Sequence, residues 1–211
     1  MLIVDHRRNA LAQIEATPVR FGAEIDLRNH GNDILVTHDP FITDAPRLED
    51  WLKQYKHRFL IANVKEEGME ERLLPLLEQF GVKDFFILDE SFPFIRKYAR
   101  AGVPNFALRV SEFEDYRTAL NLARDLKAIG RHVDWVWADS FTGNPLHPDV
   151  VKALRDEGMK ICAVSPELHH VNKPEIWNSL VLEMQNKLSD IDIVPEMVCT
   201  KRLTLWEDFT K

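Results

Sequence analysis

The stretch GAEIDLR, residues 22–28, reads as a β-strand that places charge where strands usually bury apolar groups. Side chains alternate faces along a strand, so Ala23, Ile25 and Leu27 share one face and Glu24 and Asp26 share the other. The stretch begins like a buried strand, and most strands bury apolar groups on such a face. Two carboxylates side by side in such a place need a cation between them, or one of them takes up a proton.

Working outward, the same kind of run recurs along the whole chain. LIVDH (2–6), ILVTH (34–38), FLIANVK (59–65), DFFILD (84–89), NFALRV (105–110), DWVWAD (134–139), KICAVS (160–165) and EMVCTK (196–201) are short and apolar. Amphipathic stretches such as GMEERLLPLLEQFG, EDYRTALNLARDLKAIG and HPDVVKALRDEG lie between them and end in Gly81, Gly130 and Gly158, as helices commonly do. Strands alternating with helices imply parallel pairing. If ILVTH extends the second unit, eight units remain at roughly 26 residues each, near the lower size limit of a (β/α)8 barrel. The rival, an open doubly wound sheet, usually has a Gly-rich first turn, whereas the turn after LIVDH is RRN. The pattern favours a single TIM-barrel domain over residues 1–211.

The apolar fraction of 45% supplies a full core for 211 residues, and the net charge of −7 argues against broad binding to nucleic acid or anionic membrane. Cys162 and Cys199 each sit in an apolar run and read as buried thiols of a reducing compartment. The N-terminal MLIVDHRR is too short in apolar residues for a signal peptide, and no stretch approaches the ~20 apolar residues of a membrane span. The C-terminal WEDFTK carries no lipidation motif. A soluble, cytoplasmic protein with no stable membrane anchor is expected.

Nearly every run ends in a polar residue: His6-Arg7, Glu24/Asp26, His38-Asp39, Asn63/Lys65, Asp89-Glu90, Arg109, Asp139, Ser165/Glu167 and Lys201. In a (β/α)8 barrel the strand C-termini carry the active site. Glu24 and Asp26 with an amide oxygen suit a hard divalent cation, Mg2+ or Ca2+. His6 and His38 suit a general base and a general acid, while Arg7, Lys65, Arg109 and Lys201 offer fixed positive charge. Together they fit a small anionic substrate with a phosphoryl centre. Each residue also has a plainer reading: a structural histidine, or an E-x-D held by neighbouring Arg and Lys. His169-His170 reads as an exposed loop pair without a role, and Trp135 and Trp137 as core or pocket wall.

In order and spacing, His6-Arg7-Arg8, Glu24-Ile25-Asp26, His38-Asp39 and Asn63-Val64-Lys65 resemble the H-R-G, E-x-D, H-D and E-x-K motifs of the glycerophosphodiester phosphodiesterase family. The match covers roughly the first third of the chain. The resemblance implies a phosphatidylinositol-specific phospholipase C-like barrel that cleaves a small phosphodiester. It implies His6 and His38 as the acid–base pair, Glu24, Asp26 and Asn63 as metal ligands, and Arg7 and Lys65 as phosphate contacts; Arg109 is a further candidate contact. Three departures stand out. The family's third acidic ligand is Asn63, its H-R-G glycine is Arg8, and the acidic residue after the last strand is Lys201. The first implies weaker metal binding and the second a different first loop. A phosphodiester-binding barrel without turnover and a metal-dependent lyase or isomerase acting on a sugar phosphate are the alternatives.

Overall fold

The computed structural model describes residues 1–209. By its internal contacts the chain divides into two units, Val4–Ile95 and a second made of Met1–Ile3 with Arg96 onward.

The unit Val4–Ile95 runs from the end of β1 (Leu2–Asp5) through α1 (Leu11–Ala16), β2 (Gly22–His30), β3 (Asp33–Val36), α2 (Leu48–Leu52), β4 (Leu60–Val64), α3 (Glu70–Gln79) and β5 (Phe85–Leu88) into α4 (Phe92–Ala101). Its strands lie in the order β5-β4-β2-β1, all parallel, with β3 antiparallel to β2. Thus β3 is the expected extension of the second unit rather than a unit of its own. Ala23, Ile25 and Leu27 are fully buried on one face of β2, as the alternation requires. Strand β4 is buried along its whole length, and its register sets Asp26 beside Asn63 and Glu24 beside Ile61. Gly22 is where β2 enters the sheet. A Cβ there would stand 2.7 Å from Phe59 O and 2.8 Å from Val4 Cγ2, so only glycine lets three strands close up at this point. The chain's largest fully buried side chain here, Trp51 of α2, packs under the loop that follows β1.

The second unit continues with β6 (Ala107–Val110), α5 (Tyr116–Lys127), β7 (Trp135–Ala138), α6 (Pro148–Asp156), β8 (Lys160–Val164), α7 (Trp177–Asp190), β9 (Met197–Thr200) and α8 (Leu203–Phe209). Its strands run β6-β7-β8-β9 in parallel, and the Leu2 N–H at the start of β1 donates to Glu196 O at 2.8 Å. Cys162 and Cys199 are buried free thiols, and Trp135 and Trp137 are buried, as expected. The order β5-β4-β2-β1-β9-β8-β7-β6, with helices between parallel strands, is that of a (β/α)8 barrel. No helix among the described residues is long and apolar enough to cross a membrane.

Candidate active site

His6, Arg7, Glu24, Asp26, His38, Asn63 and Lys65 all belong to the unit Val4–Ile95. They lie on or just past four strands, β1 to β4, and strand register places them. Asp5 pairs with Ala23, so the next residue, His6, comes level with Glu24, and its Nε2 stands 3.7 Å from Glu24 Oε2. Arg7 then turns the chain with φ at +56°, an uncommon conformation for a residue with a Cβ. The turn aims the Arg7 N–H at Glu24 Oε2, 2.7 Å away, and a charge-assisted bond to a buried carboxylate offsets that strain. The Arg8 N–H donates to Glu24 O at 2.7 Å. Its guanidinium folds back to His6 O at 3.3 Å and to Asp5 at 3.1 Å, and its carbonyl accepts from Trp51 Nε1 at 2.8 Å. The arginine in the family's glycine position thus braces the first loop.

Glu24 and Asp26 are each only 1% exposed. Three of their four oxygens accept a hydrogen bond, and the fourth, Asp26 Oδ1, has only the ion pair to Lys65. Asn63 Nδ2 donates to Glu24 Oε1 at 3.1 Å, and the Arg7 N–H to Oε2. Asn9 Nδ2 donates to Asp26 Oδ2 at 2.9 Å, with Arg7 Nε 3.4 Å from the same oxygen, and Lys65 Nζ lies 3.2 Å from Oδ1. Burial, and next the charge of Asp26, push the Glu24 carboxyl up to about 7 despite Lys65, the Arg7 N–H and Asn63. The E-x-D face is therefore stable because two cations and three N–H donors surround it.

Two members of this group were given no role from the sequence. Asn9 accepts the Asp26 N–H at 3.0 Å while donating to its side chain, a reciprocal clasp that fixes the carboxylate. It lies in a loop, where no periodicity marks it. Asp89 follows β5 with φ at +62° and holds Lys65 Nζ at 3.3 Å. Its place at a polar strand end was its signal. Glu66, by contrast, turns away to Arg28 at 2.8 Å, because β4 ends at Val64.

The hairpin turns the chain that carries His38 back toward the site. Val36 of β3 pairs with Leu27, so the antiparallel strand carries the chain back toward the level of Asp26 before His38. Its Nδ1 is 2.8 Å from Asp39 Oδ1, and its backbone carbonyl accepts from Arg28 Nε at 3.0 Å. The ring is 43% exposed, open to an incoming ligand.

The donor set does not fit the divalent cation expected at Glu24, Asp26 and Asn63. Mg2+ takes near-octahedral oxygen ligands and Ca2+ takes 6–8. Here Asn63 turns its N–H, not its oxygen, to Glu24, and Lys65 fills the place beside Asp26. Asn63 Oδ1 and Asp26 Oδ1 are buried without a hydrogen bond, but the first is a neutral oxygen and the second already has the Lys65 ammonium at 3.2 Å. Among the described residues no group of three His, Cys, Asp or Glu side chains could hold a metal ion.

In the second unit, Arg109 pairs with Glu114 at 3.1 Å and with Asp139 at 2.8 Å. Asp139 in turn meets His169 Nε2 at 2.6 Å. His169 was expected in an exposed loop without a role. It lies instead in a short 3-10 turn, Pro166–His169, half-buried, with its ring tilted at 42° and 4.8 Å from the Phe141 ring. The hydrogen bond to Asp139 raises its pKa. Glu167 is fully buried and accepts from Ser165 Oγ, from Thr200 Oγ1 at 2.5 Å and from the Lys201 N–H at 2.9 Å. Glu112 accepts from the Phe141 and Thr142 N–H groups, both at 3.1 Å. Both acids brace loops at the strand ends.

No family model and no curated protein matches this sequence. Solved structures do match its fold. A glycerophosphodiester phosphodiesterase from Agrobacterium tumefaciens str. C58 superposes with a TM-score of 0.65 at 15% identity, over 100% of this chain and 99% of its own. A glycerophosphoryl diester phosphodiesterase from Parabacteroides distasonis ATCC 8503 gives 0.65 at 14% identity, over 99% and 85%. A third, a candidate glycerophosphoryl diester phosphodiesterase also from A. tumefaciens C58, gives 0.68 at 13% identity, over 100% and 97%. At such identities the likeness is one of fold.

Proposed function

We propose that this chain is a phosphodiester hydrolase acting on a glycerophosphodiester or a similar small diester. The observation that carries the reading is the grouping of His6, Arg7 and Lys65 around the buried Glu24–Asp26 pair, with His38 returned toward it by the β2–β3 hairpin. The fold shared with solved structures of that activity supports it.

In this reading Arg7 and Lys65 bind the non-bridging oxygens of the phosphoryl group, as charge-assisted donors fixed by Asp26. His6 takes the proton from the attacking oxygen, either water or a neighbouring hydroxyl of the substrate. Glu24, 3.7 Å away, steadies the imidazolium that results. The new P–O bond forms as the bond to the leaving alcohol breaks, and His38, oriented by Asp39, gives that alcohol its proton. Water as nucleophile yields a monoester, and a substrate hydroxyl yields a cyclic diester.

The test is turnover of a panel of glycerophosphodiesters and a chromogenic diester, with His6→Ala and His38→Ala beside the parent chain. Turnover lost in both variants supports the reading. A folded parent that binds diesters and turns none over supports a binding barrel instead, and release of carbonyl products from sugar phosphates supports the lyase alternative.

A further inference from the structure

We infer that the chain supplies its own cations to the Glu24–Asp26 pair, Lys65 and Arg7, and takes a phosphodiester without a divalent metal. This deepens the phosphodiesterase reading and rests on it. Charge and geometry point the same way. Two carboxylates, each 1% exposed, are met by two fixed cations, with Lys65 Nζ 3.2 Å from Asp26 Oδ1 and Arg7 Nε 3.4 Å from Oδ2. The two Glu24 oxygens are taken by the Arg7 N–H and by Asn63 Nδ2, and Asn9 Nδ2 shares Asp26 Oδ2 with Arg7.

Position 63 decides the matter. The β2–β4 register sets it beside Asp26, and a carboxylate there would bring a third negative charge to the pair. An asparagine brings none. It also donates its Nδ2 hydrogen into Glu24 at 3.1 Å, so it acts as a partner for the acid rather than as a co-ligand. A metal ion entering here would have to displace the Lys65 ammonium and turn the Asn63 amide. Both are in a region where donors left without acceptors are costly. The work a metal does on a phosphoryl group, polarising it and offsetting developing charge, then falls to the Arg7 guanidinium and the Lys65 ammonium. Lys65 is placed for this by a second acid, Asp89, at 3.3 Å.

The experiment is a titration of the full chain with Mn2+, following the free ion by electron paramagnetic resonance, with Mg2+ and Ca2+ as competitors. Thermal melts in chelator and in millimolar Mg2+ or Ca2+ run beside it. The parent chain is expected to leave Mn2+ free and to melt alike in all three. Calorimetry in chelator is expected to show glycerophosphocholine binding. The Asn63→Glu variant, folded by circular dichroism, is expected to gain Mn2+ binding that Asp26→Asn, added to it, removes. Mn2+ bound by the parent chain and lost in Asp26→Asn would overturn the inference. So would glycerophosphocholine binding that appears only with metal, or an Asn63→Glu variant that gains nothing. Absence of turnover under every condition would sink the hydrolase reading, while the Mn2+ titration would still decide this one.

Discussion

Across the β2–β4 pairing, Asn63 donates its amide N–H to Glu24 at 3.1 Å. The bond joins the residue that departs most from the E-x-K motif to one end of the buried acidic pair. An acid at position 63 would repel Glu24, whereas the amide satisfies it. The same face of β2 is held at its other end by Lys65, 3.2 Å from Asp26 Oδ1.

The histidines give the first prediction. His6→Ala and His38→Ala are each expected to lower kcat by about 10²–10⁴-fold in diester turnover, with melting temperatures near that of the parent. The parent's kcat/KM is expected to pass through a maximum with pH, since one ring must be neutral and the other protonated. A profile flat across the histidine range would remove the acid–base assignment.

Lys65→Met leaves Asp26 buried with one cation fewer. Breaking a buried pair from one side costs about 3 kcal/mol, read as a lowered urea midpoint. Adding Asp26→Leu to that variant is expected to restore part of the loss, because no charge is then stranded. A double variant less stable than Lys65→Met alone would show that the pair is not what holds β2 against β4.

Glu90 gives a pH signature. Burial first, then the hydrogen bond and charge of the buried Glu70, push its carboxyl up to about 8. In the unfolded chain it titrates near 4.3. Between those values the folded state keeps a proton that the unfolded state has released, so stability falls as pH rises, and the fall is complete above about 8. Glu90→Gln is expected to flatten this decline in melts taken from pH 5 to pH 9. An unchanged slope in the variant would place the proton elsewhere.

His169 has the opposite chemistry and a related sign. The hydrogen bond to Asp139 raises its pKa above the unfolded value of ~6.5. Its contribution to stability is complete below that unfolded value and is lost as pH rises through the folded one. His169→Gln is expected to cost about 0.5–1 kcal/mol at pH 5.5, allowing for the partly exposed ring, and almost nothing at pH 9. Equal costs at both values would mean that the ring's packing on Phe141, not its charge, is what counts.

Gly22→Ala tests the entry of β2. The added methyl meets the Phe59 carbonyl at 2.7 Å, and a backbone oxygen cannot swing aside. A loss of about 1–3 kcal/mol is expected, as for overpacked cores, with turnover reduced as Glu24 shifts. A variant as stable as the parent would show that β1 and β4 can part at this point.

The fold was legible because its signal is local and repeated. Among the described residues nearly every strand is a mainly apolar run ended by a polar residue, and Gly81 and Gly158 stand at positive φ just past their helices. The site was legible in part for the same reason: His6, Glu24, Asp26, Asn63 and Lys65 fall at strand ends whose register is set by the alternation of faces. Asn9 escaped notice because a loop has no period. The role of His169 was misread because a histidine pair in polar sequence carries no mark of the aspartate it meets 30 residues away in the chain.

By itself the sequence determined which residues stand on which face of which strand, and hence that two carboxylates share one face of β2. Periodicity is a property of the backbone, and it can be read without any long-range contact. Only the tertiary structure decided what lies opposite those carboxylates. The choice between a metal and the chain's own Lys65 and Arg7 depends on which donor each oxygen faces across a few ångströms. That follows from how β1, β2 and β4 pair, and from which way an amide turns.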